Sequence, residues 1–268
     1  MNKQFDFTGR QFVEKMVSLW NSPPPDGTVD RFVAGDPDGM VTGIGTTFIA
    51  SMDCLREAVR QNVNLIITHE PTFFNHLDDL AFNAGDPVAC AKLEFVKEHG
   101  LMIFRFHDLM HRVQPDLIHE GVRLRCDWPP PVRDERGINI VRTVARPLAE
   151  LAAFLRDRTG GKVVRYIGDP LQLCGTLALC LGAPGYDTQL RAFANPEVDT
   201  VVIGECAEWA AGEYVRDACA CGRRLGMVLL GHRNSEEAGM SWINHELARR
   251  LSVNLVHLDV EDPLHLCD

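Results

Sequence analysis

The sequence predicts an α/β fold with mainly parallel central sheets. Three observations carry that reading. Compact apolar runs at residues 63–67 and 200–203 have the look of strands buried on both faces, as in parallel sheets. Longer segments between such runs repeat apolar residues at helical spacing. The alternation of the two is the pattern of β-α-β units, and both halves of the 268 residues share it.

A helix is expected over residues 12–20, ending at the loop signal Asn21-Ser22-Pro23-Pro24-Pro25-Asp26-Gly27. Residues 40–50, rich in Thr, Ile and Phe, read as a strand. Asp53 is placed to cap the next helix, where Leu55, Ala58 and Val59 recur. The run at 63–67 follows as a strand and delivers Thr68-His69-Glu70-Pro71. A helix over 87–99 and a strand over 101–106 repeat the unit and end at His107-Asp108. A further helix is expected over 115–124, and Trp128-Pro129-Pro130-Pro131 marks a seam between a first lobe, 1–130, and a second, 131–268.

The second lobe opens with a strand over 138–145 and a helix over 148–158 stopped by Thr159-Gly160-Gly161. Strands at 163–167 and 173–181 follow, then the turn Gly182-Ala183-Pro184-Gly185 and a short helix at 186–194. The strand at 200–203 leads to Gly204-Glu205-Cys206. A helix over 208–224, a strand over 227–230 ending at Gly231-His232, a helix over 235–251 and a strand over 253–258 complete the pattern.

With 46% hydrophobic and 24% charged residues, the chain can bury a core without staples, so a bound metal would serve function rather than folding. A net charge of −10 and the absence of a basic block argue against a duplex nucleic-acid partner. Nine scattered cysteines lack the paired spacing of a structural zinc site and read as reduced thiols of a cytoplasmic protein. Neither a signal peptide nor a membrane-spanning run is expected.

Ligands of open α/β sheets bind outside the carboxyl ends of the strands. Those ends carry His69 and Glu70, His107 and Asp108, Glu205, and His232. Imidazoles gathered with carboxylates are the donor set of a divalent-metal site. His232 and Glu236, four apart across a strand-to-helix junction, can meet at one point, with Asn234 or Ser235 capping the helix. Spacing leaves open which of His107, Asp108 and His111 reaches an ion and which orients a ligand. The remaining histidines, His76 and His119 among them, fall in loops or on helix faces and suggest no chemistry. No G-x-S-x-G elbow and no phosphate loop is present.

These motifs together resemble the Nif-three-like proteins, also known as GTP cyclohydrolase I type 2 homologues. The family's "I-I-x-H-H-P" is similar to Ile66-Ile67-Thr68-His69-Glu70-Pro71, and its "H-T-N-L-D" to His107-Asp108-Leu109-Met110-His111. Its "G-H-x-x-S-E" matches Gly231-His232-Arg233-Asn234-Ser235-Glu236 in full. The resemblance implies two interlocked, related α/β lobes, a metal cleft between them, and a ring-shaped homo-hexamer built as a trimer of dimers. It implies two divalent ions per chain (zinc, manganese or iron) held by His69, Glu70, His111, His232 and Glu236. Glu70 stands where the family has a second His, and His111 where it has an Asp. The expectation is a metal-dependent hydrolase of a small nucleotide-like or phosphorylated substrate, with His107 and Asp108 as catalytic acid or base. The alternative is a non-catalytic metal-binding, scaffold or regulatory ring.

Overall fold

The computed structural model describes residues 5–23 and 25–267. The chain divides into two compact units. The first holds the residues up to Ile118 together with Gly239–Glu261, and the second holds His119–Ala238 with the segment from Asp262.

The first unit is built on a five-stranded sheet. Its strands are β1 (Arg31–Ala34), β2 (Ile44–Thr47), β3 (Leu65–Thr68), β4 (Met102–Arg105) and β11 (Val256–His257), in the spatial order β1-β4-β3-β2-β11. All pairings are parallel except that of β1 with β4. The continuous apolar reading of β3 and β4 has a direct cause. Leu65, Ile67, Met102 and Phe104 face helices α1 (Gly9–Ser18) and α9 (His232–Leu251), which contribute Phe12, Met16, Met240 and Ile243. Ile66 and Ile103 point the other way, toward α2 (Met52–Arg60) and α3 (Pro87–Glu98), which contribute Leu55, Ala58 and Val96. Strands covered on both faces have no polar side to show.

The second unit carries a six-stranded sheet in the order β5-β6-β8-β9-β10-β7. Its centre, β8 (Leu173–Cys180), β9 (Thr200–Ile203) and β10 (Gly226–Leu229), is parallel. Antiparallel strands flank it: β5 (Val132–Arg133) and β6 (Asn139–Pro147) on one side, β7 (Arg165–Ile167) on the other. Helix α6 (Leu148–Thr159) packs Leu151 and Leu155 on Leu177, Val202 and Val228. Helices α7 (Tyr186–Phe193) and α8 (Glu213–Ala220) pack Phe193 and Val215 on the opposite face, against Val201 and Met227.

Several local expectations change. Ser51, not Asp53, caps α2, because its hydroxyl accepts the Cys54 N–H at 3.2 Å; Asp53 lies inside the first turn and pairs with Arg56. The helix expected over 208–224 starts as a π-helical turn, Glu208–Gly212, before α8. Strand β1, strand β5 and the short helix α4 (Asp108–Arg112) carry no sequence signal, and the helix expected over 115–124 is α5 (Leu117–Arg125). The stop at Gly160 is as expected, with the residue at φ +74° in the left-handed region. No disulfide forms among the described cysteines, and no described helix is long and apolar enough to cross a membrane.

Candidate metal centre

Strand register assembles the first group of site residues. β3 and β4 pair in parallel with Thr68 beside Arg105, and Phe106 N–H donates to the Thr68 carbonyl at 2.8 Å. The residues just past the two strand ends are therefore neighbours. The rings of His69 and His107 stack with centroids 4.5 Å apart. His107 also precedes α4, so His111, four residues on, lies on the same side. The His111 ring stands 4.9 Å from that of His107 and 5.1 Å from that of His69.

Each of the three imidazoles is fixed through Nδ1. That of His69 lies 3.2 Å from the Phe106 carbonyl oxygen, which can only accept, so Nδ1 carries the proton. Nδ1 of His107 meets Asp108 Oδ1 at 2.9 Å, and Nδ1 of His111 meets Asp116 Oδ2 at 2.9 Å. Carboxylates that accept from Nδ1 leave Nε2 as a lone-pair donor. The Nε2 atoms of His69 and His111 are 3.3 Å apart. Glu70 Oε1 completes the group, 3.6 Å from His107 Nε2 and 3.9 Å from His69 Nε2. Lone pairs turned toward one another repel unless a cation lies between them. The donors of His69, His107 and His111 lie close enough together to share one ion.

Burial acts on these rings. His69 is fully buried. Burial, followed by the neighbouring His111, pushes His107 below the ordinary imidazole range, which favours the neutral form a metal needs. Asp108 does not turn inward as a ligand. Its second oxygen accepts from Val29 N–H and Thr28 Oγ1, both at 3.0 Å. Burial opposes its ionisation, but those bonds and the one from His107 outweigh it and hold the carboxyl below its usual range. Arg105, 1% exposed, lies behind the group and donates to the carbonyls of His69 and His76.

Two carboxylates that the sequence did not single out build this group. Asp30 accepts the backbone N–H groups of His107, Asp108 and Leu109 at 2.7–2.9 Å, capping α4. Asp116 accepts from His111 and from Ile118 N–H. Asp30 acts on residues more than 70 positions away, and Asp116, though near His111 in the chain, carries no local motif. His76 also lies closer than expected, its ring 6.4 Å from that of His107.

In the second unit, β9 and β10 pair in parallel with Ile203 beside Leu229, and Gly231 N–H donates to the Gly204 carbonyl at 3.1 Å. Gly231, at φ +88°, turns the chain so sharply that α9 begins at His232. His232 is thus in the first helical turn, not on the strand. Asn234 and Ser235 lie inside the helix and do not cap it. The Ser235 hydroxyl accepts Gly182 N–H at 2.9 Å, and Asn234 donates to the Leu230 carbonyl and to Asp262. One helical turn brings Glu236 Oε2 to 3.1 Å from His232 Nε2, and His232 Nδ1 meets Glu205 Oε1 at 2.9 Å. Glu236 is 2% exposed. Gly182 makes room for it, because a Cβ there would lie 2.1 Å from Glu236 Oε1.

Of the five residues expected as ligands, His69, Glu70 and His111 lie in one unit and His232 and Glu236 in the other. Structural comparison gives the same fold in several solved proteins. A Bacillus cereus protein related to NIF3 has a TM-score of 0.79 at 12% identity, covering 97% of this chain and 99% of that one. A hypothetical protein of Staphylococcus aureus has a TM-score of 0.75 at 14% identity, covering 98% and 100%. Reduced HcgD from Methanocaldococcus jannaschii has a TM-score of 0.70 at 14% identity, covering 96% and 100%. No curated protein sequence matches. The model of Duf34/NIF3 (NGG1p interacting factor 3) matches residues 32–263, nearly the whole chain and both groups of site residues, and the protein therefore belongs to the Duf34/NIF3 family.

Proposed function

We propose that His69, Glu70, His111, His232 and Glu236 together hold two divalent ions, and that the protein is a metal-dependent hydrolase of a small nucleotide-like or phosphorylated substrate. The observation that carries this reading is the Nδ1 anchoring of His69, His111 and His232, which leaves the Nε2 of each as a donor. The mixed imidazole and carboxylate set suits zinc, manganese or iron. Bound ions would supply Lewis acidity and lower the pKa of water toward neutrality. His107 is the group to move a proton, since its Nε2 faces Glu70 while Asp108 fixes its other nitrogen. Asp108 acts through His107 as a positioning residue, tied in turn to the Thr28–Val29 backbone. Membership of the family supports assembly as a hexamer, a trimer of dimers.

The test is elemental analysis of the purified protein after reconstitution with manganese, zinc or iron. It is paired with a turnover screen over nucleotides and phosphate esters. Two ions per chain and a turnover that vanishes in the His69→Ala/His232→Ala double variant are expected. Loss of the metal without loss of turnover would sink the hydrolase reading. Stoichiometric metal with no turnover across the screen would favour metal storage or sensing instead.

A further inference from the structure

A second polar pocket lies in the second unit, made entirely of residues between Cys126 and Arg158, none of them in the metal groups. It encloses about 350 Å³, at the small end of ligand-site volumes. Its mouth is formed by an irregularity in β6. Arg142 stands opposite Thr176 of β8, and Arg146 opposite Cys174, so three residues of β6 face the single residue Gly175. The extra length pushes Val144 outward to 80% exposure and sets Arg142 and Arg146 on either side of the bulge. The bulge is supported from behind, because Asp199 accepts both Gly175 N–H and Thr176 N–H at 2.8 Å. Bulges held in this way re-aim side chains beside binding sites.

Helix α6 supplies the opposite wall. The Arg146 guanidinium lies 4.4 Å from the Phe154 ring centre and that of Arg158 lies 5.3 Å from the same centre. Two cations are thus held within about 10 Å of each other by one ring. Arg158 is further pinned by Asp127 at 3.2 Å and by the Arg125 carbonyl. Arg142, at the rim, pairs with Glu197 at 2.7 Å. Arg146 has no carboxylate partner among the described residues. Two guanidinium groups against one ring oppose the trend of a chain whose net charge is −10, and their packing on Phe154 limits their motion before any anion arrives. The buried Trp128 closes the wall with an apolar surface.

We propose that this pocket binds a small molecule carrying a phosphate or pyrophosphate group, received by Arg146 and Arg158 with its uncharged part toward Trp128. Guanidinium forks match phosphate oxygens in pairs, which a point charge does not. The site is independent of the metal centre and of the hydrolase reading.

The experiment uses the full-length, metal-loaded protein and inorganic pyrophosphate. Arginine side chains are modified with phenylglyoxal and the modified peptides are quantified by mass spectrometry. Pyrophosphate is expected to slow modification of Arg146 and Arg158 while leaving Arg165 and Arg216 unprotected. Calorimetry should show pyrophosphate binding that weakens by about tenfold or more in Arg146→Ala, the loss expected for charge-assisted hydrogen bonds. That binding should survive in the His69→Ala/His232→Ala variant, which separates it from capture by metal. Three results would overturn the proposal. These are no protection of Arg146, equal protection by citrate at matched ionic strength, and protection by a single-stranded oligonucleotide but not by pyrophosphate.

Discussion

Replacing Asp116 by Asn tests whether the imidazoles are preset as metal donors. Asp116 serves two donors at once: Oδ2 takes the His111 Nδ1 proton at 2.9 Å, and Oδ1 takes Ile118 N–H at 2.9 Å. An Asn has one oxygen. Ile118 N–H is fixed by the backbone and cannot exchange its role, so the amide oxygen stays there and the NH2 group faces His111. The imidazole then accepts at Nδ1 and carries its proton on Nε2. That proton lies on the 3.3 Å line to His69 Nε2, where it makes an N–H···N bond and removes two metal donors together. Partners that orient a ligand typically contribute 10–100-fold to affinity, so Asp116→Asn should weaken metal binding by about 1.4–2.7 kcal/mol. Competition with a chromophoric chelator measures the affinity, and nitrogen-detected NMR of the imidazoles reads the tautomer. The fold should survive, because the side chain keeps its volume and its bond to Ile118. Unchanged affinity together with an unshifted His111 tautomer would refute the reasoning.

Further outcomes follow from other positions. Gly182→Ala places a methyl against Glu236 at a backbone of φ +65°, so it should cost about 1–3 kcal/mol of stability in urea titrations and also lower metal occupancy. Gly160→Ala has open space around it but keeps the strained φ, so it should cost about 1 kcal/mol and leave metal binding untouched. Lys92 is buried, donates to the Thr72 carbonyl, and is depressed to about 8 by burial. Below that pH both folded and unfolded chains hold the proton and the burial penalty is fully present. Between about 8 and 10.5 the unfolded chain binds more protons, so stability rises with pH, by about 3 kcal/mol relative to Lys92→Met measured over the same range. A flat difference between the two proteins across that range would contradict the burial of a charged Lys92.

The parts of the fold that could be read from the sequence are those whose causes are local or two-sided. The strands LIIT and TVVI are buried on both faces, and their composition says so without reference to partners. Gly160 after Thr159 marks a helix end by its own backbone chemistry. Strand β1 could not be read, because Arg31 and Phe32 are placed by pairing with Arg105 and Phe104 more than 70 residues away. The site divides along the same line. His69 and His107 lie just past strand ends, His232 opens the helix that follows one, and all three are legible in the sequence. Asp30 is not, since its partners lie more than 70 positions away, and Asp116, though close to His111 in the chain, has no motif that sets it apart from other loop carboxylates. Asp108 and His111 were ambiguous because spacing gives reach but not direction. The loop at Thr28–Val29 draws Asp108 aside, and the turn of α4 points His111 inward.

Helix α9 and strand β11 also set the order in which the chain can fold. The core of the first unit needs Met240, Ile243, Leu247 and Leu251, and one edge of its sheet needs Val256 and His257. These residues are made only after the whole of the second unit up to Ala238 has been synthesised. Until then, the apolar faces of Leu65, Ile67 and Phe104 lack their α9 partners. The nascent first unit therefore stays incomplete for more than a hundred residues of synthesis, while the second unit, all but assembled at Ala238, then lacks only the short segment from Asp262.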